Sequence, residues 1–186
     1  MLKRGLYRKI LFVVIIIAVC CMALLIVLKS ASNKMEYNKV KEGDNYLVSI
    51  NDSNGEMIYE DLYRAEPIIS EVGKNTIMVE IGAGNTSNSI FINGKTGKVS
   101  DFFPDVVAYN EKLVVYPIFE NGELKIIIRD IYDKNNVYEE ITDAFSETAV
   151  GLYDVKEAKV INDHQVYLNY YIGDDRKEKE RLILIK

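Results

Sequence analysis

The chain has 186 residues and a net charge of −5, and its 13 tyrosines accompany six phenylalanines, one histidine and no tryptophan. All 28 acidic residues follow position 29, so residues 30–186 carry 18 basic and 28 acidic side chains, a net charge of −10. This balance argues against a nucleic-acid partner, whose phosphates require basic surfaces, and against adsorption onto anionic lipid. No cysteine follows Cys21, so disulfides cannot stabilise this part of the chain.

The first element is an apolar run of 19 residues, 10–28, without a charge, proline or glycine. At a rise of about 1.5 Å per residue, such a helix crosses a hydrocarbon layer of ~30 Å. The sequence therefore predicts a transmembrane helix over 10–28 that contacts membrane lipid. A cleavable signal peptide is the alternative, because the preceding tail 1–9 is basic, but signal peptides have shorter apolar cores of ~7–15 residues.

Basic residues flank the apolar run on both sides, four in the tail 1–9 and four soon after the run. The tail charges are denser and the terminal amine adds another, so the positive-inside rule places the tail in the cytoplasm. We therefore predict a single-pass protein of the cell membrane with an extracytoplasmic C-terminal domain. Residues 29–44 hold few apolar side chains and are predicted to be a linker.

From Asn45 onward, short runs of tyrosine, isoleucine and valine alternate with turn dipeptides, a pattern typical of strands and hairpins. The sequence predicts an all-β domain over 45–186, with Asp143 to Gly151 as the one stretch compatible with a short helix. The predicted strands are 45–50, 56–62, 67–72, 76–81, 89–93, 98–103, 106–109, 112–119, 124–131, 137–141, 154–161, 165–171 and 179–185.

The turns recur along the chain at regular intervals. The segment 50–57 aligns with 92–99 and, more loosely, with 131–138, at spacings of 42 and 39 residues. Asn-Gly pairs at Asn54, Asn93 and Asn121 supply residues that tolerate positive φ, as tight hairpins require. A second recurring turn precedes the strands that begin near positions 76, 113 and 166. A period near 40 with about four strands per unit is typical of a propeller blade.

The segment Asn93-Gly-Lys-Thr-Gly-Lys-Val resembles the D-x-x-T-G-K-V hairpin of PQQ-like and related propeller repeats in bacterial cell-envelope proteins. The resemblance and the period together indicate a propeller-like arrangement, and the 13 predicted strands make a stack of about three four-stranded antiparallel units. A twisted β-sandwich is the alternative, because closed propellers have about 4–8 blades. The tryptophan of PQQ-type blades is absent, so PQQ binding is not carried over and no cofactor is expected.

The residues that commonly perform catalysis are scarce. His164 is the only histidine, which removes the commonest general base and any site with several histidine ligands. No Gly-x-Ser-x-Gly elbow is present, and the segment after Asp52 lacks the distal glutamate of a calcium loop. We therefore assign no catalytic or metal-binding residues and predict that the protein is not an enzyme.

Two groups of residues are hypothetical partner-binding positions. Gly82, Gly84 and Asn85 lie in a small polar loop between predicted strands, which is either a simple hairpin loop or a binding rim. Over 166–171, strand alternation places Tyr167 and Tyr171 on the face opposite Tyr170. Exposed tyrosines can bind protein or carbohydrate through flat amphipathic rings, although tyrosine is also a good strand former.

The sequence as a whole predicts a non-catalytic extracytoplasmic β domain that binds a protein or an envelope polymer, as an adaptor, sensor or complex component. One alternative is a carboxylate-dependent envelope hydrolase, since paired carboxyl groups can cleave glycosides without histidine. A second alternative is a structural accessory subunit that acts through its membrane helix.

Overall fold

The computed structural model describes residues 34–146 and 151–186, together with Ile17 and Val19. The predicted tail 1–9, the first part of the predicted linker and all but two residues of the helix predicted over 10–28 lie outside the described residues, so these remain predictions. Over the part of the chain that is described, no helix combines the length and apolar character needed to cross a bilayer.

The described residues form an all-β structure of four antiparallel sheets, none of which closes on itself. Sheet A contains β1–β3, sheet B contains β4–β7, sheet C contains β8–β11 and sheet D contains β12–β14. The strands are β1 (Glu36–Glu42), β2 (Asn45–Asn51), β3 (Met57–Tyr63), β4 (Ile68–Val72), β5 (Thr76–Ala83), β6 (Thr86–Asn93), β7 (Phe103–Pro104), β8 (Ala108–Tyr109), β9 (Leu113–Glu120), β10 (Glu123–Asp130), β11 (Val137–Ile141), β12 (Val155–Asn162), β13 (Gln165–Ile172) and β14 (Lys177–Leu184). One helical turn, α1 (Gly151–Asp154), precedes β12.

The all-β prediction is confirmed, but the number of units differs from the prediction. Four sheets are present instead of about three, and only sheets B and C have four strands, while sheets A and D have three. Four sheets also exceed the two facing sheets of a sandwich. The propeller-like arrangement itself is not confirmed by this topology.

Three core clusters join the sheets in chain order. One lies between sheets A and B and includes Val48 and Ile90, and the next lies between sheets B and C around Phe91. The third lies between sheets C and D around Val115 and Tyr170. None of these three clusters contains residues of both sheet A and sheet D, so the described sheets form a series with two ends.

Among the described residues, sheets B and C are covered on both faces, whereas sheets A and D are covered on one. In β9, Leu113 and Val115 face sheet D while Val114 and Tyr116 face sheet B, and all four are buried. In β13, by contrast, Val166, Leu168 and Tyr170 are buried, whereas most of the residues between and beside them are more exposed. Continuous apolar runs therefore mark strands with two covered faces, as in other sheets buried between layers.

The recurring turns that precede β5, β9 and β13 lie beside one another in successive sheets. The Glu111 carboxylate accepts hydrogen bonds from the backbone N–H groups of Lys74 (2.7 Å) and Asn75 (2.9 Å) in the turn of sheet B. The neighbouring Asn110 amide donates to the Asp163 carboxylate at 2.7 Å in the turn of sheet D. These bonds fix the three sheets in register at this end of the stack.

The Asn-Gly turns differ in their backbone conformations. Asn121 and Gly122 both have positive φ (55° and 85°), as the hairpin between β9 and β10 requires. The expectation of positive φ at the pair that begins with Asn93 is wrong, because the left-handed residue in this turn is Gly97 (φ 67°). Gly94 instead packs closely against the Met35 side chain, which a Cβ atom there would overlap.

Two segments differ from the predicted secondary structure. Strand β1 lies within the predicted linker 29–44, so the β region begins earlier than Asn45. The predicted strand 98–103 is reduced to a bridge at Val99 and the short β7, because the Phe91 N–H donates to the Ser100 hydroxyl (2.9 Å) instead of to a backbone carbonyl. Pro104 has no N–H to donate to the neighbouring strand.

A polar cluster joins sheets C and D around Asp143. Its carboxylate accepts hydrogen bonds from the Tyr170 hydroxyl and from the Lys179 ammonium (2.9 Å), and Arg181 pairs with Glu139 of β11 at 2.8 Å. Burial alone would raise the pKa of the Asp143 carboxyl, but the hydrogen bonds from Tyr170 and Lys179 outweigh it and lower this pKa. The folded structure therefore favours the ionised form of Asp143.

We expect Asp143→Asn to lower the free energy of unfolding at pH 7 by about 1–3 kcal/mol, because Tyr170 and Lys179 lose their charged acceptor. Since the folded-state pKa lies below the ordinary value of 3.8, the stabilisation is present above about pH 4 and is lost as the pH falls through the folded-state value. Urea unfolding at pH 7 and near pH 3 measures this. An equal difference between the two proteins at both pH values would contradict the assignment.

Candidate partner-binding surface

The outer face of sheet D, like that of sheet A, is covered by no other described sheet. Because Val166, Leu168, Tyr170 and Ile183 point into the core, the alternate positions of β13 and β14 point outward. Tyr167 pairs directly with Leu182 of β14 and with Lys159 of β12. We define this outer face by Lys156, Glu157, Lys159, Tyr167, Asn169, Tyr171, Glu178, Glu180, Leu182 and Leu184.

Apolar side chains are concentrated at one end of the outer face of sheet D. Leu182 is 59% exposed, and Leu184 is exposed to a similar extent, although both belong to a regular strand. Tyr167 lies beside Leu182 and is partly exposed. Large apolar groups held on a rigid sheet without a covering layer are typical of contact surfaces, when they adjoin polar groups that fix orientation.

Charged pairs surround the other end of this face. Lys156 on β12 forms a salt bridge with Glu178 on β14 (2.7 Å), and this hydrogen bond lowers the pKa of the Glu178 carboxyl. Lys159 pairs with Glu157 of its own strand, which raises the pKa of the lysine. The exposed charges of the face are therefore arranged in mixed pairs.

Tyr171 and Arg176 form a cation–π contact at the border of the face. The guanidinium of Arg176 lies 4.4 Å from the centre of the Tyr171 ring, and it also pairs with the buried Asp154 at 2.8 Å. Asp154 is the only buried acidic residue among those described. The ring of Tyr171 is thus held in place, as a preformed contact residue would be.

Asn169 lies between the two tyrosines but is only 5% exposed, which strand alternation did not predict. Its direct partners across the sheet are Glu157 and Glu180, whose long side chains can cover a shorter neighbour. Its Oδ1 atom has no hydrogen-bond partner among the described residues. An unpaired buried acceptor is uncommon in folded proteins.

The structure separates the two predicted groups of binding residues. Tyr167 and Tyr171 lie on the outer face of sheet D, as alternation predicted, whereas Gly82, Gly84 and Asn85 lie at the hairpin between β5 and β6 of sheet B. Sheet C lies between those two sheets, so the groups cannot form one site. Gly84 has φ 69°, and a Cβ there would meet nothing within 4 Å, so this hairpin tip is open to solvent.

Four further residues of the outer face were not predicted from the sequence, namely Lys156, Lys159, Leu182 and Leu184. For Leu182 and Leu184 the signal was present in the Leu-Ile-Leu-Ile run at 182–185, because four apolar residues in a row cannot all face one core. A strand with apolar residues on both faces is either buried on both faces or leaves one apolar face exposed for a binding partner. The position of β14 at the end of the stack leaves the second possibility.

The described residues do not contain the arrangement that the hydrolase alternative requires. That alternative needs two buried carboxyl groups facing each other, one of them with a raised pKa. Among the described residues, the buried Asp154 faces Arg176, and no group of three or more histidine, cysteine, aspartate or glutamate side chains is placed to hold a metal. His164 lies in the exposed turn between β12 and β13.

Comparison with known proteins gives no match to this chain, whether by family model, by curated sequence or by solved structure. No enzyme family is therefore found for it.

Proposed function

We propose that the chain is a single-pass membrane protein whose extracytoplasmic β domain binds a partner without catalysis, through the outer face of sheet D. The uncovered row of Tyr167 and Leu182 on that face, with Leu184 beside it, is the observation that carries the proposal. The apolar run 10–28 supports the membrane anchor. The charged pairs at the other end of the face support a protein partner, since protein interfaces combine apolar contacts with polar ones.

The stack of sheets supports a propeller-like, open arrangement of the domain. Successive sheets follow one another in chain order, and equivalent turns meet at one end of the stack. In such an arrangement the first and last sheets each keep one free face. A free face at the end of the series is then a consequence of the architecture and is available for binding.

Photo-crosslinking tests the binding surface in the membrane of the cells from which the protein comes. We expect benzoylphenylalanine in place of Tyr167 in the full chain to give a crosslinked adduct. The same group in place of Phe119, an exposed aromatic residue on sheet C, is the matched control and should give none. Equal adducts at both positions, or none at Tyr167, would contradict the proposed surface.

Protease accessibility tests the topology separately. With an epitope tag after Lys186, protease added to intact cells should remove the tag, because the C-terminal domain is proposed to lie outside the cytoplasm. Protection of the tag until the cells are lysed would place the domain on the other side of the membrane.

A further inference from the structure

Three Asn-Gly pairs occur in the chain, beginning at Asn54, Asn93 and Asn121. Asparagine is one of the thermolabile residues of proteins, and it deamidates most readily before glycine, which has no side chain to shield its backbone nitrogen. The reaction needs a glycine N–H that is free and an asparagine side chain that can turn toward it. The structure therefore decides which of the three pairs reacts.

The pair at Asn93 is held by hydrogen bonds on both reacting groups. The Asn93 Oδ1 atom accepts from the backbone N–H groups of Lys95 and Thr96, each at 3.0 Å. The Gly94 N–H donates to the Asn75 carbonyl at 2.8 Å, and Gly94 is buried. Reaction at this pair has to break all three bonds within a packed turn.

The pair at Asn54 is exposed, but its reacting groups are also held. The Asp52 carboxylate accepts hydrogen bonds from the Asn54 backbone N–H (2.8 Å) and from the Asn54 side-chain amide (3.1 Å). The Gly55 N–H donates to the Asp52 carbonyl at 3.1 Å. Exposure of this pair therefore does not make its reacting groups free.

The pair Asn121-Gly122 differs from the other two. Both residues are exposed at the tip of the hairpin between β9 and β10, beyond the last paired residues Glu120 and Glu123. Among the described residues, neither the Asn121 side chain nor the Gly122 N–H has a hydrogen-bond partner. We propose that Asn121 is a modification site, at which the folded protein deamidates spontaneously.

Deamidation at this hairpin consumes one water molecule and releases one ammonia molecule. The Gly122 nitrogen gives its proton to solvent and bonds to the Asn121 Cγ atom, the Cγ–Nδ2 bond breaks, and the departing nitrogen takes a proton from solvent. Water then opens the resulting succinimide ring. Cleavage between the ring nitrogen and Cγ gives aspartate, and cleavage between the ring nitrogen and the backbone carbonyl carbon gives isoaspartate.

Either product changes the tip of sheet C. It adds a carboxylate beside Glu120 and Glu123, where the neighbouring Lys125 already pairs with Glu120 and with Glu140, both at 2.7 Å. Isoaspartate also adds a methylene group to the backbone of a two-residue turn, in which loop length selects the turn type. The modification therefore alters both the charge and the backbone of this hairpin.

Peptide mass analysis of the purified full chain tests this proposal. During incubation of the folded protein in mildly alkaline buffer, deamidation raises the mass of a peptide by about 1 Da. We expect Asn121 to react at least about tenfold faster than Asn54 or Asn93, because reaction at those pairs first has to break hydrogen bonds. Similar rates at all three pairs, or a faster reaction at either of the other two, would overturn the proposal.

The same chain unfolded in urea is the control for the effect of the fold. There the three pairs should react at similar rates, because each is the same dipeptide without fixed hydrogen bonds. If Asn121 were equally far ahead of the others in urea, its neighbours in the sequence would be the cause and the structural assignment would be wrong.

Two glycine variants form a matched pair for isoelectric focusing. Asn121→Gly keeps a residue that tolerates positive φ in the turn, and it should remove most of the acidic form that develops during incubation. Asn54→Gly removes the other exposed Asn-Gly pair and should leave that form unchanged. An acidic form that persists at its full level in Asn121→Gly would refute the assignment.

Discussion

Replacing Phe91 with alanine is expected to lower the free energy of unfolding by about 3–5 kcal/mol. The Phe91 side chain is 0% exposed and lies in the cluster between sheets B and C. Its ring contacts Phe103 and Tyr109 edge to face, with centroid separations of 5.9 and 5.6 Å. Alanine would leave a cavity at the centre of the stack, and urea unfolding followed by circular dichroism measures the loss.

Phe102→Ala is the matched control for this change. Phe102 lies next to the buried Phe103 in sequence, but its own side chain is 56% exposed, so its loss should change the stability by no more than about 0.5 kcal/mol. Similar losses for both variants would mean that the interface between sheets B and C is not a packed core.

The second large effect concerns the apolar run at 10–28. Two arginines in its middle, Ile15→Arg with Val19→Arg, should move the protein out of the membrane fraction. Each arginine near the centre of a spanning helix costs about 2.5–3.5 kcal/mol on insertion scales, so the pair costs about 5–7 kcal/mol. Sedimentation of membranes washed with alkaline carbonate, followed by detection of the C-terminal tag, measures the distribution.

The control places the same charges after the run. Ser32→Arg with Asn33→Arg adds two arginines outside the hydrocarbon layer, so this variant should stay in the washed membranes. If the variant with arginines at 15 and 19 also remained membrane-bound, the prediction of a spanning helix would be wrong.

Most strands could be predicted from the sequence because the pattern that identifies a strand or a turn lies within a few neighbouring residues. Runs such as Ile126-Ile127-Ile128 and turns such as Asn121-Gly122 depend on neighbours a few residues away, and the structure has β10 and its hairpin there. Strand β1 was missed because an exposed edge strand rich in lysine and glutamate resembles a linker in composition. Residues Glu36–Glu42 form a strand because they pair with β2, and their composition alone does not indicate this pairing.

The candidate surface was predictable only in part. Alternation correctly placed Tyr167 and Tyr171 on the face opposite Tyr170, since successive side chains of a strand point to opposite sides. It did not predict that Asn169 is buried on that same face, because the residues that adjoin it belong to β12 and β14. Those neighbours are set by pairing between strands that are distant in the sequence.

The sequence by itself determined where most strands and turns lie, which residues share a face of a strand, and that an apolar run precedes the domain. Only the tertiary structure decided which faces are covered. Alternation fixes the two sides of every strand, but the layer that packs on each side depends on the order of the sheets. Leu182 is exposed because sheet D ends the series, while Val114, in an equally apolar run, is buried because sheets B and D enclose sheet C.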